Sequence, residues 1–257
     1  MVVGRRPAIE AVRSGRAREV LIDDSAHRTE TLRELMSLAE RSGTTVRRVP
    51  GSTIDRLASH GAHQGVAVVV EPPPLLDERA LSSLPFDDDA LAVALDGITD
   101  PQNLGACARV AEAAGAALMV IRDRRGAPVT PAAVKASAGA LLHLPVARVP
   151  NLTRAISRLR DRGFAPVGLD PTGADLWRAD PPRPMVLVVG AEGAGLSRLV
   201  RERCDLLVSI PMRGKTESLN AATALAVGLF GFALRPEGAV TMPGKAGVAQ
   251  SGSASDL

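Results

Sequence analysis

Three junctions in this sequence place polar side chains where an apolar strand runs into a glycine-containing loop. In the first, DGITDPQNLGACARVAEAAG (96–115), a helix is expected to begin near Leu104, with Asn103 at its N-cap. Arg109 follows about one and a half turns later. In the second, MVLVVGAEGAGLS (185–197), Glu192 is a lone carboxylate among Gly190, Gly193 and Gly195, and glycines let a backbone approach a ligand closely. In the third, LLVSIPMRGKTESLNAATALAVGLFGFAL (206–234), Ser218 and Asn220 open a long apolar helix. Each group alone has an ordinary use. Asn103, Ser218 and Asn220 can cap helices, Glu192 can be a solvated turn residue, and Arg109 can be a surface cation. An arginine is also a permanently charged fork that matches phosphate and carboxylate.

Other chemistries fail on spacing. MRGKTES (212–218) ends like a phosphate-binding loop, but Ser209 stands where that loop needs its first glycine, and Pro211 interrupts the cradle. GAEGAG (190–195) runs G-x-x-G-x-G rather than the dinucleotide order G-x-G-x-x-G, and lies late in the chain. His60 and His63 could face one metal, yet no acid or thiol clusters beside them, and His27 and His143 stand apart; no metal site is expected. Cys107 and Cys204 make neither a metal spacing nor a disulfide framework, which points to a reducing cytoplasm.

The elements that must carry these junctions alternate along all 257 residues. Residues 7–14, 28–42 and 52–59 read as helices, and 19–23, 44–49 and 65–70 as strands. In the second helix Leu32, Leu35, Met36 and Leu38–Ala39 fall near helical spacing. This makes a small α/β unit over residues 1–72. Residues 73–89, with prolines and an Asp run, read as an interdomain linker. From 90 to 235, strands at 90–96, 117–122, 144–149, 164–170, 185–190 and 205–211 alternate with helices at 105–115, 131–140, 151–162, 196–203 and 218–233. Continuously apolar strands imply a mostly parallel sheet covered on both faces. The final helix is so apolar that it must be buried, against the core or a second copy. Residues 236–257 lack apolar periodicity and read as a disordered tail.

No stretch reaches the length of a membrane span, and the N-terminus MVVGRRPAIEAV lacks the pattern of a signal peptide. The net charge of +3 permits a nucleic-acid partner without demanding one. With four Phe, one Trp and no Tyr, rows of stacking rings are excluded as a means of holding RNA.

Taken together, N-x-G-x-x-x-R (103–109), strand-GAEG-x-G (190–195) and IPM-x-G-x-x-x-SLN (210–220) resemble the SpoU (TrmH-type) RNA 2′-O-ribose methyltransferases of the SPOUT superfamily. Residues 1–72, opening VVGRRPAIEAV and closing HQGVAVVVEP, resemble the substrate-binding domain of the RlmB-type branch. One departure is visible: SLNAATALAVGL, where many members carry Val and Ser after the Asn.

The resemblance implies an α/β methyltransferase domain with a C-terminal trefoil knot, behind a small ribosomal-protein-like α/β domain. It implies S-adenosylmethionine as methyl donor, lined by Val189, Gly190, Gly195, Ile210, Met212 and Leu219, and no metal. Arg109 would be the catalytic arginine, Glu192 would pair with it, and Asn103, Ser218 and Asn220 would position the arginine, the ribose or the cofactor. The implied substrate is structured RNA, a guanosine of 23S rRNA before tRNA, with an antibiotic-resistance rRNA methylase or a silent RNA-binding assembly factor as alternatives. A homodimer is implied, as is RNA affinity from Arg5, Arg6, Arg16, Arg18, Arg47 and Arg48.

Overall fold

The computed structural model describes residues 1–58, 63–71, 75–216 and 218–233. His60 and the expected tail at 236–257 lie outside the described residues.

The first unit runs β1 (Val2–Val3), α1 (Arg5–Arg13), β2 (Ala17–Asp23), α2 (Glu30–Ser42), β3 (Thr45–Val49), α3 (Gly51–Ala58) and β4 (Val66–Val70). Its sheet has the order β1-β4-β2-β3, with only β2 and β3 parallel. Helix α1 starts at Arg5, earlier than expected, because Pro7 is tolerated within a first turn. Helix α2 is set by its ends: the Thr29 hydroxyl accepts from the Leu32 N–H (3.3 Å), and Gly43 closes it at φ 68°. Leu32, Leu35 and Ala39 are buried, whereas Met36 is 42% exposed, outside the apolar stripe assigned to it.

The second unit runs β5 (Leu75–Leu76), a 3-10 turn (Ala80–Ser82), β6 (Leu91–Asp96), α4 (Pro101–Ala113), β7 (Leu118–Arg122), α5 (Pro131–Ala136), a second 3-10 turn (Ala140–Leu142) and β8 (Val146–Val149). It continues through α6 (Leu152–Asp161), β9 (Ala165–Asp175), β10 (Met185–Gly190), α7 (Arg198–Arg201), β11 (Leu206–Ser209) and α8 (Ala221–Ala233). Seven strands lie in the order β11-β9-β10-β6-β7-β8-β5, and every pairing is parallel. Alternate residues of β6 feed two cores: Leu91, Val93 and Leu95 join Leu104 of α4 and Leu225 of α8, while Ala92 and Ala94 join Leu152 and Ile156 of α6. A fully buried Leu or Ile contributes about 1.5–3 kcal/mol, so burial on both sheet faces holds the strand ends in register.

Three boundaries differ from expectation. Helix α4 begins at Pro101, not near Leu104, because Asp100 is the cap: its carboxylate accepts from the Gln102 N–H at 3.0 Å. Asn103 is therefore inside the helix and does not cap it. The helix expected over 131–140 stops at Ala136, since Ala138 (φ 52°) and Gly139 (φ 97°) leave the helical region. Only four residues of the 196–203 segment are helical.

The segment read as a linker is bound to the second unit along much of its length. Leu75–Leu76 pairs with β8, Leu81 is fully buried, and Glu78 is held by forks from Arg154 (2.5 and 2.6 Å) and Arg158 (3.0 Å) of α6. The two units also meet directly. Arg16 Nε donates to the Leu142 carbonyl at 3.0 Å, and one apolar core runs from Ala8 and Val12 of α1 to Leu141 and Leu142.

Candidate active site

The C-terminal edge of the seven-stranded sheet gathers the three polar junctions, as expected for parallel α/β sheets. After β10 the chain turns back on itself. Ala191 bridges to Gly195, with the Gly195 N–H donating to the Ala191 carbonyl at 2.8 Å. Gly193 and Gly195 have φ of 74° and 63°, and open space where a Cβ would stand. A Cβ on Gly190 would sit 2.1 Å from the Gly195 carbonyl carbon. The glycines are thus required by the loop's own closure, without any bound molecule pressing on them. Asp96, buried at the end of β6, anchors the far end of this loop: it accepts from the Ser197 N–H (2.7 Å) and from Arg122 Nη2 (2.6 Å). Sequence reasoning missed Asp96; the signal was a carboxylate closing an apolar strand.

This loop presents Glu192 to the other two junctions. Glu192 Oε1 accepts from Asn220 Nδ2 (2.6 Å) and from Asn103 Nδ2 (3.1 Å), and Asn220 Nδ2 also reaches Asn103 Oδ1 (3.2 Å). The other end of Asn220 caps α8, its Oδ1 accepting from the Ala222 N–H at 2.9 Å. Three residues far apart in the chain therefore form a closed hydrogen-bonded triangle. Gly105, in the same motif as Asn103, lets α4 press on α5: a Cβ there would meet the Ala133 carbonyl oxygen at 2.5 Å.

Arg109 departs from expectation. It is exposed and makes no hydrogen bond or ion pair with any described residue, so the expected pairing with Glu192 is absent. The reason is helical phase. Six residues turn the α4 surface by roughly 240°, so Arg109 leaves the face that carries Asn103. Glu192 has neutral amides as hydrogen-bond partners, and no described cation pairs with it.

Beside the triangle lies a cavity of about 460 Å³. Val189, Gly190, Gly195, Ile210, Met212 and Leu219 all line it, together with Glu192 and Ser218. The walls also include Leu169, Asp170 and Pro171 of β9, Val208 of β11 and Ala221 and Ala224 of α8, none of them anticipated. Burial would raise the Asp170 carboxyl, but Thr172 hydrogen bonds and the Arg201 charge outweigh it and hold it below its ordinary value. Cys107, on the inner face of α4, is pushed up to about 12 by burial and by the Glu192 charge. Burial does the same to Cys204, so neither thiol is a nucleophile. No group of metal-ligating side chains exists among the described residues.

In the first unit, most of the arginines expected to meet RNA are already engaged. Arg5 donates to Thr29 and Gln64, Arg16 to Leu142, Arg48 to the Asp24 carbonyl, while Arg18 pairs with Glu71 and Arg47 with Glu19. The exposed arginines without a partner among the described residues are Arg6, Arg28, Arg33 and Arg56. Arg28 and Arg33 flank a groove of about 640 Å³ between α2 and β3, floored by Leu32, Met36 and Val46.

Comparison with known proteins agrees with this architecture. The sequence model of the SpoU rRNA Methylase family matches residues 90–230, and that for RNA 2′-O ribose methyltransferase substrate binding matches residues 1–76. A relative in Mycolicibacterium vanbaalenii, named an uncharacterized tRNA/rRNA methyltransferase, is 45% identical over 235 residues, 88% of this chain and 74% of its own. The SpoU methyltransferase AviRb of Streptomyces viridochromogenes, solved with AdoMet, superposes with a TM-score of 0.72 at 33% identity, covering 90% of this chain and 87% of that one. An AdoMet-bound rRNA methyltransferase from Sinorhizobium meliloti gives 0.69 at 26% identity, over 88% and 83%. With residues 1–76 and 90–230 matched by the two family models, the chain belongs to the SpoU family of RNA methyltransferases.

Proposed function

We infer that the chain methylates the 2′-oxygen of a ribose in structured RNA, using S-adenosylmethionine, and that its target is a guanosine of 23S rRNA. The observation that carries this reading is the Asn103–Glu192–Asn220 triangle set against the 460 Å³ cavity. The cavity fits the cofactor in size, being within the range of about 300–1,000 Å³ typical of ligand sites. It fits in chemistry too: apolar walls suit an adenine, and Glu192, without a cationic partner, suits a positive sulfonium. Bound S-adenosylmethionine supplies an electrophilic methyl group on sulfur. Val189, Gly190, Gly195, Ile210, Met212 and Leu219 would hold it.

The residues of this chain do the rest. Asn220 and Asn103 fix Glu192 with neutral donors, so the carboxylate keeps its place. Arg109, exposed and unengaged, is free to donate to RNA, where it steadies the 2′-oxygen as it loses its proton or grips the adjoining phosphate. A guanidinium stays protonated at any working pH, so the proton goes elsewhere, in this reading to a flanking RNA phosphate. Ser218, exposed at the cavity, orients the ribose.

Two further parts belong to the proposal. The chain works in the cytoplasm as a homodimer; supporting the dimer are the exposed rings of Trp177 (54%) and Phe230 (37%, on α8), and light scattering should read twice the mass of one chain. Residues 1–72 deliver the RNA and 90–235 perform the transfer. The test is ribose-methylation mapping of total RNA from cells with and without the gene. Loss of a single 2′-O-methylguanosine in 23S rRNA is expected. Loss at a tRNA site would move the target, and no loss anywhere would refute the activity.

A further inference from the structure

One buried acid in the cavity wall has no part in methyl transfer itself. Asp170 lies on β9, and its side chain is only 8% exposed. Its hydrogen bonds and ion pair with described residues converge on one oxygen. Oδ1 accepts from the Thr172 N–H (2.9 Å) and hydroxyl (2.7 Å), and Arg201 Nη2 stands 3.5 Å from the same atom. Oδ2 accepts a hydrogen bond from no described residue, and Asp170 lines the cavity. With Oδ1 taken by Thr172 and Arg201, Oδ2 is the acceptor that Asp170 can offer to a molecule in the cavity.

The surroundings choose the kind of donor. Arg201 already offsets the Asp170 charge, and it secures Thr172 as well, donating to that hydroxyl at 2.5 Å. A second full positive charge is therefore not required here, and a neutral hydroxyl is the better match. Glu192 presents the opposite case, with amides but no cation among the described residues. The two acids thus give the cavity a direction: a neutral polar end at Asp170 and a cation-seeking end at Glu192.

We propose that Asp170 is a cofactor-positioning residue whose Oδ2 accepts a hydrogen bond from a ribose hydroxyl of the bound nucleoside. It thereby sets the nucleoside at the β9 end and leaves the sulfur end to Glu192. This rests on the reading of the cavity as the cofactor site. The acceptor atom it requires is one that no described residue uses, and Thr172 with Arg201 keeps it oriented.

Isothermal titration of the full chain with S-adenosylhomocysteine, and with its 2′-deoxy and 3′-deoxy analogues, tests the idea. The wild-type protein should lose about tenfold in affinity for one of the two deoxy analogues. Asp170→Asn should bind S-adenosylhomocysteine about tenfold more weakly and be indifferent to the missing hydroxyl, the signature of two groups that touch. Full hydroxyl sensitivity retained in Asp170→Asn would overturn the proposal. So would a wild-type protein indifferent to both analogues, a result that needs no folded variant. Wild-type protein without any affinity for S-adenosylhomocysteine would overturn the cofactor reading as well, which separates the two failures.

Discussion

Glu192 is exposed, and its described hydrogen bonds come from two asparagine side chains, one of which has a second task. Asn220 holds the carboxylate with its amide and caps α8 with its carbonyl. Asn220→Ala should therefore do two things at once. Loss of the cap costs about 1 kcal/mol of stability, and release of Glu192 lowers methyl transfer, by about 10-fold or more if the carboxylate must be held in place. Thermal melts and single-turnover assays on the same preparation would check both. That Asn103, Glu192 and Asn220 meet was legible only through the motif resemblance, since each taken alone has an ordinary use. The place of Arg109 was not. A helix phase of six residues separates Arg109 from Asn103, and the Asp-Pro pair at 100–101 takes the capping role that Asn103 seemed to fill. Asp170 was also hidden, because a carboxylate ending a strand looks in sequence like any solvated turn.

Strands and helices of the second unit follow from their apolar patterns, since burial on both faces leaves runs without alternation. Boundaries were less readable where local chemistry competes, as at Ala138 and Gly139, whose positive φ ends α5 early. The loop after β10 is the most demanding element. Gly190→Ala would drive a methyl group into Gly195 and unseat the Ala191–Gly195 bridge. Such overpacking costs typically about 1–3 kcal/mol, and S-adenosylhomocysteine binding should be lost before the global fold. Titration calorimetry beside circular dichroism would separate the two. At the other end of the sheet, Glu78 ties the supposed linker to α6. Arg154 and then Arg158 pull its carboxyl below the ordinary 4.5, against the opposing effect of burial. A carboxyl whose pKa is depressed on folding contributes stability above its unfolded pKa, and that contribution fades as pH falls through the folded one. Glu78→Gln should thus be less stable than wild type at pH 7, with the gap narrowing below about pH 4.5. Urea unfolding across that range would measure it; a constant gap would contradict it.

At the scale of the whole molecule, the two units are not beads on a string. A shared apolar core and the Arg16–Leu142 bond join α1 to the turns after α5, and proline-rich composition alone gave no hint of this. Nor does local periodicity record how a chain end passes its own loops, so the knot that the resemblance implies left no sequence pattern of its own. Deleting the first unit would bare core residues, so its role is better tested by charge. Arg28→Glu with Arg33→Glu, on the groove between α2 and β3, should weaken RNA binding and reduce its salt dependence while cofactor affinity stays unchanged. The same reversal at Arg18 and Arg47, already paired with Glu71 and Glu19, should matter less. Beneath all of this stands the central claim, that the three loops bring a methyl donor to a ribose oxygen steadied by Arg109. Its most direct measurement uses radiolabelled S-adenosylmethionine, ribosomal RNA and purified protein, followed by alkaline hydrolysis of the RNA. Wild-type protein should leave label in alkali-resistant dinucleotides, and Arg109→Ala should leave none while binding S-adenosylhomocysteine normally. Label released as ordinary mononucleotides, or undiminished transfer by Arg109→Ala, would contradict it.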